Sequence, residues 1–453
     1  MTLYAGLVIS MVGLAGIGTS LIEFQAEDAL KRPKEEADRV VEKSIAGSYW
    51  YMFMGFALLA FLTLTICIYF NLIKSWHSRF VITAVFVGVA TFWFIIEKST
   101  YVAETDRLQG HKSTLIVIVL RVLVASTCKL FYRHPGSDNL YKAQVDEKPL
   151  ESTRGLRCFD KAAIIKPGNL VQEQEKNRWT LCTVTEVEKA KMMFHMLPLW
   201  GTWILLGVVS SLGDSYFQEQ ANHLDKKLGK LKTPLVALLA FQKLAGFAFG
   251  YAFEWACNKI VPEKYKRVRA AIVVALAMVF SILCCIVATK VEERRLQVVL
   301  RAGLIDKPNN RIPMTIYLLV PQFMLLGVSE TLFILGSQGF VRSFIPVSMI
   351  RYMILSTEAI RGVGRIGSVL FVFLVGKINH RKNQPDWFQT TLNTSRLDKY
   401  YWVLAQLSTL SFVAYLVVVC WYFYRESKRA EADDRVGKSE HSNFFEDAKF
   451  CCL

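Results

Sequence analysis

The ionisable residues Lys243, Glu330, Glu358, Arg361 and Arg365 stand inside largely apolar stretches. A charge in hydrocarbon is costly, so such a residue faces a bundle interior or a wet cavity and takes a partner. Glu358 and Arg361 are spaced i, i+3, and Arg361 and Arg365 are spaced i, i+4. On a helix this sets one acid beside two bases on a single face. Such a face is either a cationic cavity wall that attracts an anion or a local ion pair that holds packing near a helix start. Glu330 is a solitary carboxyl in its stretch, and Lys243 lies in a different one. A carboxyl shielded from water can take up and release a proton, with Lys243, Arg361 and Arg365 shaping a solute cavity beside it. The competing reading joins Lys243 and Glu330 in a static salt bridge between helices. No phosphate-cradling loop, nucleophile elbow or metal-ligand cluster accompanies these residues, which speaks against an enzyme, a cofactor or a metal site. The 10 cysteines include no CxxC pair, so neither zinc nor a disulfide framework is indicated.

The elements that must hold these residues are membrane helices. Of 453 residues, 53% are hydrophobic and only 20% charged, and runs of about 20 apolar residues, enough to cross a bilayer, recur along the chain. The net charge of +16 has a simple cause in a membrane protein: basic loops stay on the cytosolic side and meet anionic lipid. Nucleic acid is therefore not the expected partner. Spans are expected at 1–22, 47–73, 80–96, 192–212, 234–257, 270–288, 314–335, 355–375 and 401–424, about nine in all by the length a bilayer requires. This predicts an all-α, polytopic helical membrane protein.

Four regions follow from the charge pattern: a three-span bundle over 1–96, a cytosolic linker over 97–190, a six-helix bundle over 191–424 and a disordered cytosolic tail over 425–453. Within the linker, 113–132 is apolar but carries Arg121 and Lys129, so it reads as an interfacial helix whose cations snorkel to the headgroups. The Lys and Arg distribution favours a cytosolic linker and tail, mostly through the linker itself. Pro198 and Pro321 read as tolerated kinks. His195 reads as an interfacial hydrogen-bond donor, and Asn393-Thr394-Ser395 as a formal glycosylation acceptor.

The handover from linker to second bundle is a polar run with a cap-like Thr185-Glu186 start, WTLCTVTEVEKAK (Trp179 to Lys191), closely followed by LPLW. It resembles the signature that opens the second half of plant nitrate/peptide transporters, a branch of the proton-coupled oligopeptide transporters within the major facilitator superfamily. Other stretches are similar to the same family in the same order. LRCFDKAAI (Leu156 to Ile164) looks like its central-loop motif and VEERRL (Val291 to Leu296) like the exit of its ninth helix. IPMTIYLLVPQFMLLGVSE (Ile312 to Glu330) looks like its tenth helix, and LNTSRLDKYYWVLAQL (Leu392 to Leu407) like the start of its twelfth.

The resemblance implies a major-facilitator-like bundle whose two halves rock around a midplane site. Counted back from the shared end, the span at 1–22 corresponds to the family's fourth helix, and Gly13 to Leu30 is similar to the glycine-rich stretch there. The expectation is thus a chain without the first three helices and without their ExxER motif, which serves proton coupling. The fourth-helix lysine of the family is Gly18 here. Glu330 is the member of the family's charged set that this sequence keeps. The activity implied is proton-coupled movement of nitrate, short peptides or another small, often anionic, metabolite, with solute, protons and the lipid bilayer as partners. The alternative is a shortened, non-transporting membrane protein or modulatory subunit, with a partner filling the place of the absent helices.

Overall fold

The computed structural model describes Gly88, Phe92 and residues 115–132, 140–141, 155–165, 179–228, 231–232, 235–262, 265–308, 310–345, 347–381, 387–389 and 391–434. The expected spans 1–22, 47–73 and 80–96 lie outside the described residues, apart from helical Gly88 and Phe92, as do the stretch Gly13 to Leu30 and the tail beyond 434. Contacts divide the chain into two compact units, Ile68–Leu197 and a second made of Met1–Cys67 with Pro198–Leu453.

In the unit Ile68–Leu197, helix α1 (Leu115–Cys128) turns Ile118, Val119, Val122 and Ala125 inward. The short helix α2 (Arg157–Asp160) and a 3-10 turn, Lys161–Ala163, pack on it. Snorkelling was the expectation for both cations of α1's stretch, but Lys129 does the opposite. It is buried, and its ammonium donates to the carbonyls of Ala162 at 3.0 Å and Ile164 at 2.6 Å. The ammonium thus gives a donor to carbonyls at the end of a tight turn, where the Cys182 amide also donates to Ala162. Arg121 instead lies 5.9 Å from the ring centre of Trp179.

The same unit holds the start of α3 (Val184–Asp214). Its cap is not at Thr185 as the sequence suggested but at Thr183, with a reciprocal pair. The amide of Glu186 donates to the Thr183 hydroxyl at 3.2 Å, and the amide of Thr183 donates to the Glu186 carboxylate at 3.1 Å. This is a capping box, which fixes where the helix begins. One and a half turns on, buried Lys191 bridges Asp160 at 2.6 Å and Glu188 at 2.7 Å. The central-loop motif is thereby pinned to the first turns of α3. Cys182, just before the cap, is buried, and burial pushes its thiol up to about 12. It stays protonated at neutral pH and serves packing rather than nucleophilic chemistry.

In the unit of Pro198–Leu453, α3 leads into α4 (Tyr216–His223), α5 (Leu235–Ile260), α6 (Lys266–Arg301), α7 (Val320–Phe344), α8 (Val347–Arg381) and α9 (Leu397–Asp434). Five helical segments among the described residues are long and apolar enough to cross a membrane, and α5, at 26 residues, is a further long apolar helix. Strands are minimal. β1 (Leu224–Asp225) pairs in parallel with β4 (Ile312–Thr315), and β2 (Lys227–Leu228) pairs antiparallel with β3 (Leu231–Lys232). The core lies along α6, α7 and α9, with α5 packed on α7. Trp203 of α3, fully buried, sets its edge against Phe333 and Phe340 of α7 at ring separations of 5.3 and 6.5 Å.

Three local expectations change. Pro321 falls in the first turn of α7, after a 3-10 turn Ile316–Leu319, where a missing N–H costs nothing and no kink results. Among the described residues, only Pro198 is interior to a helix, α3. Helix α9 continues past the expected end of its span to Asp434, because the charged residues there, with Ala430 and Ala432 among them, still favour helix. Asn393 is no glycan acceptor: its side chain is buried and its amide donates to the Leu304 carbonyl at 2.9 Å.

Asn393 belongs to a buried polar network. Arg295 and Glu292, one turn apart on α6, pair at 2.6 and 2.8 Å with essentially no exposure. Gln220 of α4 donates to the same carboxylate at 2.6 Å and accepts from Gln322 of α7 at 3.2 Å. Arg295 also donates to the Leu392 carbonyl at 2.8 Å. The segment before α9 is thus tied to α6 by a buried guanidinium.

Candidate functional site

Glu330 lies midway along α7, with a side chain only 10% exposed. Its two oxygens are shared among two other helices. The Ser210 hydroxyl of α3 donates to Oε1. From α5, the Lys243 ammonium donates to Oε2 at 2.8 Å and the Gln242 amide to the same oxygen at 3.3 Å. The ion pair of the competing reading forms, but Lys243 keeps 61% of its side chain exposed. Half of the pair is walled in and the other half is open.

Close backbone contacts set the position of each of these side chains. Gly327 precedes Glu330 by one turn and meets the Gln242 carbonyl so tightly that a Cβ there would collide with it. Gly246, one turn beyond Lys243, would place a Cβ 2.5 Å from the Gly327 carbonyl. The same device joins α3 to α8. A Cβ on Gly207, one turn before Ser210, would come within 2.5 Å of the Arg361 carbonyl, and one on Gly364 would strike the Ile204 carbonyl. Only glycine permits helices to touch through their backbones, and this is how membrane helices approach most closely. The α5–α7 contact brings Gln242 and Lys243 to Glu330, and the α3–α8 contact sets Ser210 beside Arg365.

Helix α8 supplies the remaining sequence candidates. Arg361 Nη1 donates to both oxygens of Glu358, at 3.2 and 3.1 Å. The predicted shared face therefore exists, with its acid and first base paired. Arg361 also lies 5.8 Å from the ring centre of Phe333 and lines a recess with Glu330, Ser210 and Ser329. Arg365 donates to the Ser210 hydroxyl at 3.3 Å and sits 3.9 Å from Asp214 at the end of α3. A second recess, along the same seam of α7 and α8, is lined by Glu358, Thr357, Ser337 and Gln338.

Taken together, Lys243 faces Glu330, Arg361 faces Glu358 and Arg365 faces Asp214. The wall that the sequence suggested as cationic has an acid for each of its bases. Sequence reasoning did not single out Ser210, Gln242 or Asp214. A serine or glutamine in an apolar run carries no spacing signal, although the glycines one turn away from the site mark where helices touch. Among the described residues no group of His, Cys, Asp and Glu could hold a metal ion.

A family model described as PTR2, POT family, matches residues 1–388. Protein NRT1/ PTR FAMILY 5.5 of Arabidopsis thaliana is 32% identical over 426 residues, covering 92% of this chain and 78% of the relative. Protein NRT1/ PTR FAMILY 8.2 of the same plant is 32% identical over 336 residues, covering 71% and 58%. Protein NRT1/ PTR FAMILY 8.1 is 26% identical over 438 residues, covering 94% and 74%.

Proposed function

Because the chain belongs to the POT family of multi-pass membrane proteins, which are transporters and not enzymes, we propose that it moves a small solute across the membrane by alternating access, coupled to protons. Residues 1–96 contribute to the first bundle in this reading, 97–190 form the linker, and 191–424 form the second bundle. The observation that carries it is the sharing of Glu330 among α3, α5 and α7 with an exposed Lys243 as its counter-ion. A proton on Glu330 cancels the charge that holds Lys243. The ammonium then faces the cavity unpaired and binds the anionic group of a solute. Departure of both restores the ion pair. Proton and solute are linked through one carboxylate, because leaving a charge unpaired in a partly buried site is costly in either order of binding. Ser210 and Gln242 lie on different helices, so a change at Glu330 is felt at the contacts of α7 with both neighbours.

Proteoliposomes carrying the full chain, driven by an acid-outside pH gradient, test this. Uptake of a small anion or peptide should follow the gradient in the wild type and fall to the gradient-free rate in Glu330→Gln. Gradient-driven uptake that survives Glu330→Gln sinks the role of Glu330, and wild-type protein that is inert leaves the non-transporting alternative.

A further inference from the structure

Among the described residues, four cations at one end of the Pro198–Leu453 helices stand over aromatic rings. Lys259 at the end of α5 lies 5.1 Å from the ring centre of Trp255, and Arg267 at the start of α6 lies 5.1 Å from that of Phe344, the last residue of α7. On α9, Arg425 lies 5.4 Å from Trp421 and Lys428 lies 4.9 Å from Tyr424. Side-chain contacts put all four at the same end. Arg267 donates to the Ser343 carbonyl at 3.3 Å, and Phe344 packs on Tyr422 and Phe423 of α9 at ring separations of 5.1 and 5.9 Å. Arg269 of α6 and Arg342 of α7 both act on the carboxylate of Glu254 in α5, and Lys266 beside them is exposed. A ring face steadies a cation without cancelling its charge. Farther along α6 and at the start of α9, cations are matched by carboxylates instead: Lys290 meets Glu293 at 2.9 Å and Arg396 meets Asp398 at 2.8 Å. The rings also fix a depth. Trp255, Trp421 and Tyr424 are 64%, 47% and 56% exposed near the ends of long apolar helices, and such rings sit at the level of the lipid headgroups. The cations over them stand at the depth of the phosphates.

We propose that this end of α5, α6, α7 and α9 is a docking surface for anionic phospholipid, its headgroup held among Lys259, Lys266, Arg267, Arg342, Arg425 and Lys428. Ammonium and guanidinium groups donate to the headgroup's phosphate in charge-assisted hydrogen bonds. The acyl chains run along exposed apolar side chains of the same helices, such as Phe249 and Phe253 of α5 and Val413 and Val417 of α9. That apolar flank beneath the cations selects a lipid over a soluble anion. Basic helix ends also mark the cytosolic side, whose leaflet carries the anionic lipid. Because the cations come from four helices, a lipid seated on them braces the end of the bundle as well as neutralising it.

Native mass spectrometry of the purified full chain in detergent, titrated with phosphatidylserine or with phosphatidylcholine of the same chains, reads retained lipid directly. Wild type should prefer phosphatidylserine by more than about tenfold, since each cation near a membrane surface contributes about fivefold. The preference should weaken as salt rises. Lys259→Gln, Lys266→Gln and Lys428→Gln together, all at exposed positions, should abolish it. The same three positions changed to Arg should keep it. Lys290→Gln, Lys377→Gln and Lys399→Gln, equally exposed and equal in charge removed but at the other end of the helices, should leave it unchanged, which separates this surface from net charge. Equal retention of the two lipids by wild type overturns the proposal. So does a preference that survives the first triple variant, or one lost as fully in the control triple. Glycerophosphoserine, the headgroup without chains, should not displace the lipid; displacement at matched concentration would make this a soluble-anion site and overturn the lipid assignment.

Discussion

Two buried carboxylates of the same helical unit, Glu292 on α6 and Glu330 on α7, are handled in opposite ways. Glu292 has its base one turn away on its own helix, with neither side chain reaching solvent. Its further partners are Gln220 from α4 and, through Arg295, the segment before α9. Glu330 has its base on a different helix, and that base is mostly open. A closed pair, buried and hydrogen-bonded, holds one arrangement; a pair split between helices, with one member exposed, has a second arrangement within reach. The first is built to fasten and the second to change.

Breaking the closed pair should have the largest effect. Arg295→Met leaves Glu292 buried and uncompensated and should lower stability by about 3–5 kcal/mol, read as a fall in melting temperature and in monodisperse protein on size exclusion in detergent. Adding Glu292→Gln should recover much of the loss, since the stranded charge goes with it. An Arg295→Met protein that melts like wild type would mean that the network contributes nothing to the fold. Next comes the backbone contact behind Glu330. Gly327→Val drives a side chain into the Gln242 carbonyl, and overpacking of this kind costs about 1–3 kcal/mol. It should also part α5 from α7 and separate Lys243 from Glu330, so uptake should fall further than stability does. The smallest change in melting belongs to Lys243→Met. Glu330 keeps its Ser210 and Gln242 donors when the 61%-exposed ammonium is removed, so melting should move less than in Arg295→Met, yet gradient-driven uptake should be lost. A melting shift as large as that of Arg295→Met would make the two carboxylates alike.

The sequence reveals these regions unequally, for physical reasons. Long apolar runs mark where helices cross, because the bilayer demands length and allows no exposed backbone. The i, i+3 spacing of Glu358 and Arg361 predicts their pairing because it involves only one helix. Glu330 stands out because a carboxyl in an apolar run is rare. The network of Glu292 and Arg295 was legible only as a motif at a helix exit: helix α6 extends to Arg301, well beyond its expected span at 270–288, and covers those charges with protein rather than lipid headgroups. Ser210 and Gln242 were not legible at all. Their role exists only once two helices touch, and the residues that let them touch are glycines of no particular polarity. Lys129 was misread for a related reason, since a cation in an apolar helix can find backbone carbonyls as well as water.

The glycine contacts around Glu330 have one more consequence. A seam made of interleaved side chains yields by changing rotamers, and its spacing drifts as they do. Where a carbonyl oxygen meets a glycine, as at Gly246 with the Gly327 carbonyl or Gly207 with the Arg361 carbonyl, there are no rotamers to spend and the spacing is a hard stop. Helices resting on such a stop can roll about it but cannot come closer. With one stop between α5 and α7 and another between α3 and α8, the bearings of this half of the molecule lie one turn from the charges they carry, so a small roll of either helix moves those charges directly rather than through compliant packing.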